Sequence, residues 1–446
     1  MKPALRPEPA LSLAALRVVV PAMVLLAPGF RQGVQVAAWA PARWVVPEGL
    51  HWFVAHVPIS PRLALAAQVS TAFLALCAIV GIRARLALGA LTLSTFYLFS
   101  IAQLTGWVWH DMHLLWFCAL LAVSPCDDVF AVDATRPLLS EGVRYARPLL
   151  YVRLLLGAVY FFPGLHKLMQ SGLSWALSNN LRNQLWWKWA EHGGVPHFRV
   201  DHFPWLLHGG GLFVLFFELS FPLLVLFRRT RPVAAAAGIA FHVLARALFR
   251  IPFESLWVCY VALVDLRPLV RRLPRIGKRL AEPAAAPPPA RPATLWAPVA
   301  VGSLLLVLAV VQGARGQMQS YPFACYPTFQ WQPGTRMPDL VVTAVGPQGR
   351  EVELPHARDE RGYRSQRQWA EVWALAGVTA KPDARRLQAY YRSLVQREPD
   401  RQLAQGATRV RFYRVYRSVA PQDRGKPPLE RRLLLEVRER APAATR

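Results

Sequence analysis

Charged side chains are scarce in this sequence of 446 residues. Asp, Glu, Lys and Arg make up 17% of it and hydrophobic residues 54%, whereas roughly a quarter of an ordinary soluble protein is charged. This composition excludes a disordered chain and a long coiled coil, because both classes are rich in charge. It is typical of a protein whose solvent is mostly lipid.

Acidic residues are fewer than basic ones. The sequence has 26 Asp and Glu and 52 Lys and Arg, which gives a net charge of +26. Such an excess can attract nucleic acid. However, residues 1–313 hold 28 basic and 13 acidic residues, and 314–446 hold 24 and 13. The excess is therefore spread over the whole chain and falls between apolar runs in its first part. This pattern favours a membrane over a nucleic-acid partner.

Cysteines are also few, with five in the chain and no CxxC pair. This excludes a disulfide-rich secreted scaffold and leaves thioredoxin-like chemistry and a thiolate zinc site without support. We expect no metal.

Long apolar runs are abundant, and nine of them approach the roughly 20 residues that a helix needs to cross a bilayer. The first contains Arg17 and lacks a small-residue cleavage site, so we interpret it as a retained helix rather than a signal peptide. The fourth and the eighth are short. The runs cover residues 11–29, 63–82, 86–105, 111–124, 148–169, 209–227, 233–250, 254–266 and 294–313.

The basic residues between these runs predict the orientation of the chain. Cytoplasmic loops carry an excess of Lys and Arg. With the N-terminus inside, the inner segments (1–10, 83–85, 125–147, 228–232, 267–293) carry 17 of them and the outer connections (30–62, 106–110, 170–208, 251–253) carry 6. We therefore expect a multi-pass protein of the cytoplasmic membrane, with its C-terminal region outside.

The composition changes after the eighth run. Residues 1–280 form the predicted transmembrane domain, 281–293 a Pro/Ala linker, 294–313 a final transmembrane helix and 314–446 an extracytoplasmic soluble domain. The fold class we predict is an all-α polytopic membrane bundle of about eight or nine helices with a small C-terminal extracytoplasmic α+β domain.

Alternation and turn residues predict the elements of the last region. A hairpin is expected at 339–354 around Gly346 and Gly349. Two amphipathic helices are expected at 367–377 and 383–398, and two strands at 408–419 and 431–440.

Polar groups at membrane depth are costly and are functional candidates. His110 and His113, in WVWHDMHLLW, share a helical face at i, i+3. Two histidines could ligate a metal, but a metal site needs three or more ligands. Interfacial histidines packed among tryptophans are the other interpretation.

Lys167 ends the apolar run YFFPGLHKL. It could snorkel to the lipid headgroups. If it points into the bundle instead, burial favours the neutral amine, which can act as a base. The spacing leaves both interpretations open.

The run WLLHGGGL begins with His208, and Gly209, Gly210 and Gly211 follow it. Glycines at the start of a helix permit a ligand to approach the backbone closely.

Glu218 lies near the middle of the same span, and His242 and Arg246 share a face of the next one at i, i+4. Glu218 could therefore pair with Arg246 across the bundle. A structural ion pair and a role in a binding cavity both remain open.

Together these segments resemble the vitamin K-dependent gamma-glutamyl carboxylases and their bacterial relatives, the HTTM (horizontally transferred transmembrane) domain proteins. The resemblance lies in YFFPGLHKL, Trp175, the HGGGL run and FHVLARALF at 241–249, in the same order. It covers about residues 100–265, and more loosely 10–265.

The resemblance implies roles for single residues. Lys167 would be the base that deprotonates a reduced vitamin K-type quinol such as menaquinol. The quinol would react with O2, and the strongly basic product would remove a γ-proton from a glutamate that then captures CO2. His110 would act at the CO2 stage. The quinol would be bound by the residues that match the family's other motifs, namely Trp175, His208, Gly209, Gly210, Gly211 and His242. The partners implied are membrane lipid or quinone and an exported peptide or protein.

Two other functions stay open at this point. One is a non-catalytic accessory membrane protein for an exported partner. The other is a transporter or lipid-binding protein that uses Glu218 and Arg246.

The nine-span topology is directly testable. A reporter enzyme fused after Arg446 should be active only when the reporter functions outside the cytoplasm, because an odd number of spans separates the two termini. Activity of a cytoplasmic reporter at that position would exclude nine spans.

Overall fold

The computed structural model describes residues 6–106, 108, 110–251, 253–272, 292–317, 320–323, 329–356, 366–378 and 381–438. Cys325 and the greater part of the predicted linker, 281–291, lie outside these residues.

Helices dominate the described residues. In chain order they are α1 (Ala10–Leu26), α2 (Pro28–Ala37), α3 (His51–His56), α4 (Pro61–Val80), α5 (Ala84–Ala102), α6 (His113–Ala122), α7 (Val143–Ser171), α8 (Ser174–Leu177), α9 (Asn180–Glu191), α10 (Pro204–Leu226), α11 (Arg231–Phe249), α12 (Glu254–Trp257), α13 (Arg267–Arg271), α14 (Pro292–Arg315), α15 (Gln366–Leu375), α16 (Ala384–Leu394) and α17 (Asp400–Ala404). Four short 3-10 helices join them at Pro41–Arg43, Val200–His202, Val258–Ala262 and Pro421–Asp423.

Among the described residues, seven helical segments are long and apolar enough to cross a membrane. They are Ala10–Ala37 (α1 with α2), α4, α5, α7, α10, α11 and Trp296–Arg315 of α14. The chain is therefore an integral membrane protein with several spans. The fourth predicted span is only the short apolar helix α6. The eighth is divided between α12 and the 3-10 helix Val258–Ala262, and neither is long enough to cross.

Three segments that the distribution of basic residues predicts to be on the inner side of the membrane lie together at one end of the bundle. Strand β1 (Glu8–Pro9) pairs with β2 (Glu141–Gly142) at the start of α7. The Glu8 carboxylate accepts hydrogen bonds from Arg153, at 2.9 and 3.1 Å, and from Arg231, at 2.6 Å. The N-terminus, the segment before α7 and the start of α11 therefore lie together. Which side of the membrane they occupy remains a prediction.

Arg17 is completely buried within the bundle. Its guanidinium donates to the carbonyl oxygens of Ala78 (2.5 Å), Ile79 (2.8 Å) and Cys126 (3.1 Å), and to that of Phe130. Buried backbone carbonyls need such donors because no water reaches them. Arg17 of α1 thus joins the end of α4 to the loop after α6.

The C-terminal region contains a four-stranded antiparallel sheet. Its strands are β3 (Arg336–Val345), β4 (Glu351–Glu353), β5 (Arg409–Ser418) and β6 (Glu430–Arg438), in the order β4-β3-β5-β6. Gly349 takes the left-handed conformation (φ +79°) in the β3–β4 turn, which glycine adopts without strain. The predicted hairpin, both helices (α15 and α16) and both later strands are confirmed.

This region packs directly on the opposite end of the bundle. Apolar residues of α8 and α9 share one buried core with those of the sheet and of α15 and α16. The Trp187 indole donates to the carbonyl of Gly334 at 2.7 Å, and the Trp369 indole donates to that of Glu191 at 3.0 Å. Arg43, just after α2, forms an ion pair with Glu371. The two long connections predicted to be outside therefore both contact the C-terminal region.

We expect Arg17→Leu to lower the free energy of unfolding by about 3 kcal/mol or more, because buried carbonyls left without donors cost roughly 1–3 kcal/mol each. Chemical denaturation of the detergent-solubilised protein measures this loss. Arg31→Leu removes the same charge from an exposed position of α2 and should change stability by less than about 0.5 kcal/mol. Equal losses in the two variants would contradict the structural role of Arg17.

Candidate functional site

The candidate site lies where α7 and α10 pack against each other. Two glycines of α7 allow this approach. A Cβ at Gly164 would lie 2.8 Å from the Cβ of Glu218, and one at Gly157 would lie 3.2 Å from the Cα of Pro222. Any larger residue at Gly164 would push the two helices apart at the point where Glu218 faces α7.

Lys167 and Glu218 form a buried ion pair across this contact. The Lys167 Nζ lies 2.5 Å and 2.7 Å from the two carboxylate oxygens, and the side chains are only 3% and 5% exposed. Lys167 therefore points into the bundle, which excludes the snorkelling interpretation. The expected partner of Glu218 was wrong, because Arg246 pairs instead with Glu254 at the start of α12.

Trp175 covers the lysine from the side of the C-terminal region. Its ring centre lies 4.9 Å from the Lys167 Nζ, at a cation–π distance. Its indole nitrogen donates to the carbonyl of Phe329 at 2.6 Å. Phe329 has a positive φ of 58°, which is unusual for a bulky residue and is often found at functional sites.

A first cavity opens beside Lys167. Glu218 and Gln184 also line it, and Phe329 contributes one wall from the C-terminal region. The rest of the wall is apolar and largely aromatic, formed by Trp175, Leu181, Val214, Phe241, Ala245, Phe249, Ile251 and Phe253. A flat, apolar ring with a few polar atoms fits such a lining.

A second cavity also borders Glu218. Glu218, Phe241 and Phe253 line both cavities. His110 and His242 line only the second one. The structure thus brings Lys167, Trp175, His110 and His242 together around Glu218.

His242 is 4% exposed and is held by a chain of hydroxyls. The Tyr160 hydroxyl lies 2.5 Å from its Nε2 and is also hydrogen-bonded to the hydroxyl of Tyr260. When Tyr160 donates to Nε2, the proton of the neutral ring is on Nδ1. Nδ1 is buried without a hydrogen-bond partner among the described residues. His242, which lines the second cavity, therefore has an Nδ1–H donor without an acceptor among the described residues.

His113 does not join His110 in this cavity. Its two ring nitrogens lie 3.0 Å from the carbonyl oxygen of His110 and 2.8 Å from that of Ser255. The described residues contain no group of three or more His, Cys, Asp or Glu side chains placed to hold a metal ion. His113 therefore contacts backbone carbonyls, whereas His110 lines the second cavity.

The HGGGL run lies outside the lining of both cavities. Gly211 is needed for packing, because its Cβ would come within 2.9 Å of Ala176 and Leu181. Beside Gly209 and Gly210 there is open space. His208 is half-buried. These four residues lie on α10, one to two turns before the cavity residue Val214.

Sequence reasoning missed three parts of the site: the Lys167–Glu218 pair, the Tyr160–Tyr260 support of His242, and the wall formed by Phe329. Tyr160, at the start of YFFPGLHKL, was a sequence signal that could have indicated one of these parts. It precedes Lys167 by seven residues, or about two helical turns, and therefore shares its face of α7.

Comparisons with known proteins give one match. The family model described as the HTTM domain matches residues 5–266, more than half of the chain. No curated protein and no solved structure matches.

The pair can be tested through stability alone. Lys167→Met and Glu218→Leu should each lower the free energy of unfolding by about 3 kcal/mol, because each leaves a buried charge without its partner. The double variant should regain most of this loss, since an apolar pair replaces two buried charges. Denaturation of the four proteins in detergent gives the coupling energy. Additive losses would show that the two side chains do not interact.

Proposed function

We propose that this chain, which belongs to the HTTM domain family, is an integral membrane enzyme that carboxylates glutamate in an exported peptide or protein. The HTTM domain is found in vitamin K-dependent carboxylase and related proteins. The observation that carries the proposal is the burial of Lys167 against Glu218 in the wall of an aromatic cavity.

A buried ion pair can supply a base without creating a net charge. If one proton passes from the Lys167 ammonium to the Glu218 carboxylate, two charges become two neutral groups in a medium where isolated charges are costly. The amine is then free to accept a proton from a ligand hydroxyl in the first cavity. Glu218, which faces both cavities, would carry the proton away from Lys167.

The first cavity suits a reduced vitamin K-type quinol. Its aromatic walls match the flat ring, and Lys167 is a polar group able to meet a ring hydroxyl. When bound, the quinol would be oxidised by O2 to its epoxide, with the second oxygen atom leaving as water, and this oxidation would supply the driving force for replacing a glutamate γ-proton by CO2. Trp175 and Phe329 would keep water away from the lysine.

Access from the bilayer is consistent with the outer surface of α10 and α11. The lining residues Val214 and Ala245 are half-exposed, and Phe216 and Val243 on the same helices are 71% and 58% exposed. Gly210 lies four residues before Val214, on the same face of α10. We infer that the open space beside Gly209 and Gly210, next to His208, accommodates the isoprenoid tail of the quinol. Gly211 would keep the start of α10 against α8.

The second cavity suits the carboxylation stage. His110 reaches it from the loop before α6, and the Nδ1–H of His242 is available to an oxygen atom. Two imidazoles beside a glutamate-binding site can orient CO2 or stabilise a developing carboxylate. We therefore assign His110 and His242 to this stage, with Tyr160 positioning His242.

Lys167→Ala and Lys167→Arg should both reduce quinol epoxidation and CO2 incorporation by at least about 100-fold, a typical loss for a missing general base. Arginine retains the charge but cannot release a proton near neutral pH. His110→Ala should retain quinol oxidation and lose the carboxylated product, because its role follows the base. The assay follows both products with purified protein and a glutamate peptide.

The matched control is Lys188→Arg, at a partly buried lysine of α9 that pairs with Glu191 and lines neither cavity; it should remain active. Quinone that co-purifies with each variant, measured by mass spectrometry, shows whether the cavity is intact. Full activity of Lys167→Arg would remove Lys167 as the base. Inactivity of the wild-type protein with quinol present would favour an accessory role.

A further inference from the structure

A wide cleft separates the end of α2 from helix α16 of the C-terminal region. One wall consists of Gln35, Ala38, Trp39, Ala40, Ala42 and Arg43, and the other of Arg385, Gln388, Ala389, Arg392, Ser393, Gln396 and Arg397. The cleft is remote in sequence from every residue of the Lys167 site. Arg43 of the first wall forms an ion pair with Glu371 of α15 and lies 5.4 Å from the ring centre of Tyr390 of α16.

The charge in this cleft has a single sign. No acidic residue is among its lining residues. Arg385, Arg392 and Arg397 are exposed, and none of them forms an ion pair with any part of the chain that the structure describes. Arg43 already has a carboxylate partner and also stacks on the Trp39 ring, 3.7 Å from its centre. Three guanidinium groups therefore remain for an external anion.

The position of the cleft next to the end of an apolar helical segment indicates the source of that anion. The segment Ala10–Ala37, which bends at Ala27 between α1 and α2, is long and apolar enough to cross a membrane. Trp39 follows the end of that segment by two residues, at the level where tryptophans anchor proteins to the interface. The cleft thus lies beside the end of a membrane-spanning segment, where lipid headgroups are expected.

We propose that this cleft binds the headgroup of an anionic phospholipid. Arg385, Arg392 and Arg397 would contact the phosphate, since one guanidinium group can donate two parallel hydrogen bonds to phosphate oxygens. Trp39 would pack against the glycerol region, and the small side chains Ala38, Ala40 and Ala42 would leave room for it. A bound lipid would join α16 to the membrane surface beside α2. This inference does not depend on the proposed enzyme activity.

The test compares two full-length variants that lose the same charge. Arg385→Gln/Arg392→Gln/Arg397→Gln empties the cleft of free cations. Arg350→Gln/Arg432→Gln/Arg438→Gln removes three exposed arginines elsewhere on the C-terminal region. Each protein is placed in nanodiscs of equal parts phosphatidylglycerol and phosphatidylcholine, released into the gas phase and analysed by native mass spectrometry for retained lipid.

Wild type and the control variant should retain phosphatidylglycerol in preference to phosphatidylcholine. The cleft variant should bind it at least about tenfold more weakly, because each basic residue near a membrane surface contributes about 1 kcal/mol. Circular dichroism of the cleft variant should equal that of wild type, since the three side chains are exposed.

Three results would overturn the proposal. The first is an equal loss in both triple variants, which would indicate general attraction to charge. The second is displacement of the lipid by glycerophosphoglycerol at the same concentration, which would indicate a site for a free anion. The third is displacement by a short polyglutamate peptide, which would indicate a site for an acidic chain.

Discussion

Two opposite charges buried in a membrane bundle must stay together, and the arrangement of the site depends on this requirement. Lys167 and Glu218 come from different helices, so their contact sets the distance between α7 and α10. The glycines at 157 and 164 make that distance sterically possible. With the pair in place, Glu218 forms the partition between two cavities of different chemistry, one aromatic and one lined by histidines.

The spans and the strands could be predicted because their signals are local. A run of apolar residues long enough to cross a bilayer predicts a membrane span. The alternation of polar and apolar residues in 408–419 predicts a strand with one buried face. The run 254–266 shows the limit of this reasoning. Its apolar residues are buried by protein in α12 and a 3-10 helix rather than by lipid, and hydropathy does not distinguish these two environments.

The site was only partly predictable, because its geometry depends on which helix faces which. Spacing along α7 could not decide whether Lys167 turns toward headgroups or inward, since the answer depends on the carboxylate of α10. The same register decides that Glu218 meets Lys167 while Arg246 meets Glu254. The resemblance in sequence located Lys167, His110, Trp175 and His242 near one another. It contained nothing about Phe329, which is distant in sequence and carries no motif.

The wall formed by Phe329 means that the domain boundary seen in sequence does not coincide with the boundary of the cavity. The family match ends at residue 266, yet a residue beyond it closes the space next to Lys167 and holds Trp175 through its carbonyl. A protein that joined the same membrane domain to a different C-terminal region would have to complete this wall with other residues. A change in the appended region would therefore alter the shape of the cavity and leave the buried Lys167–Glu218 ion pair unchanged.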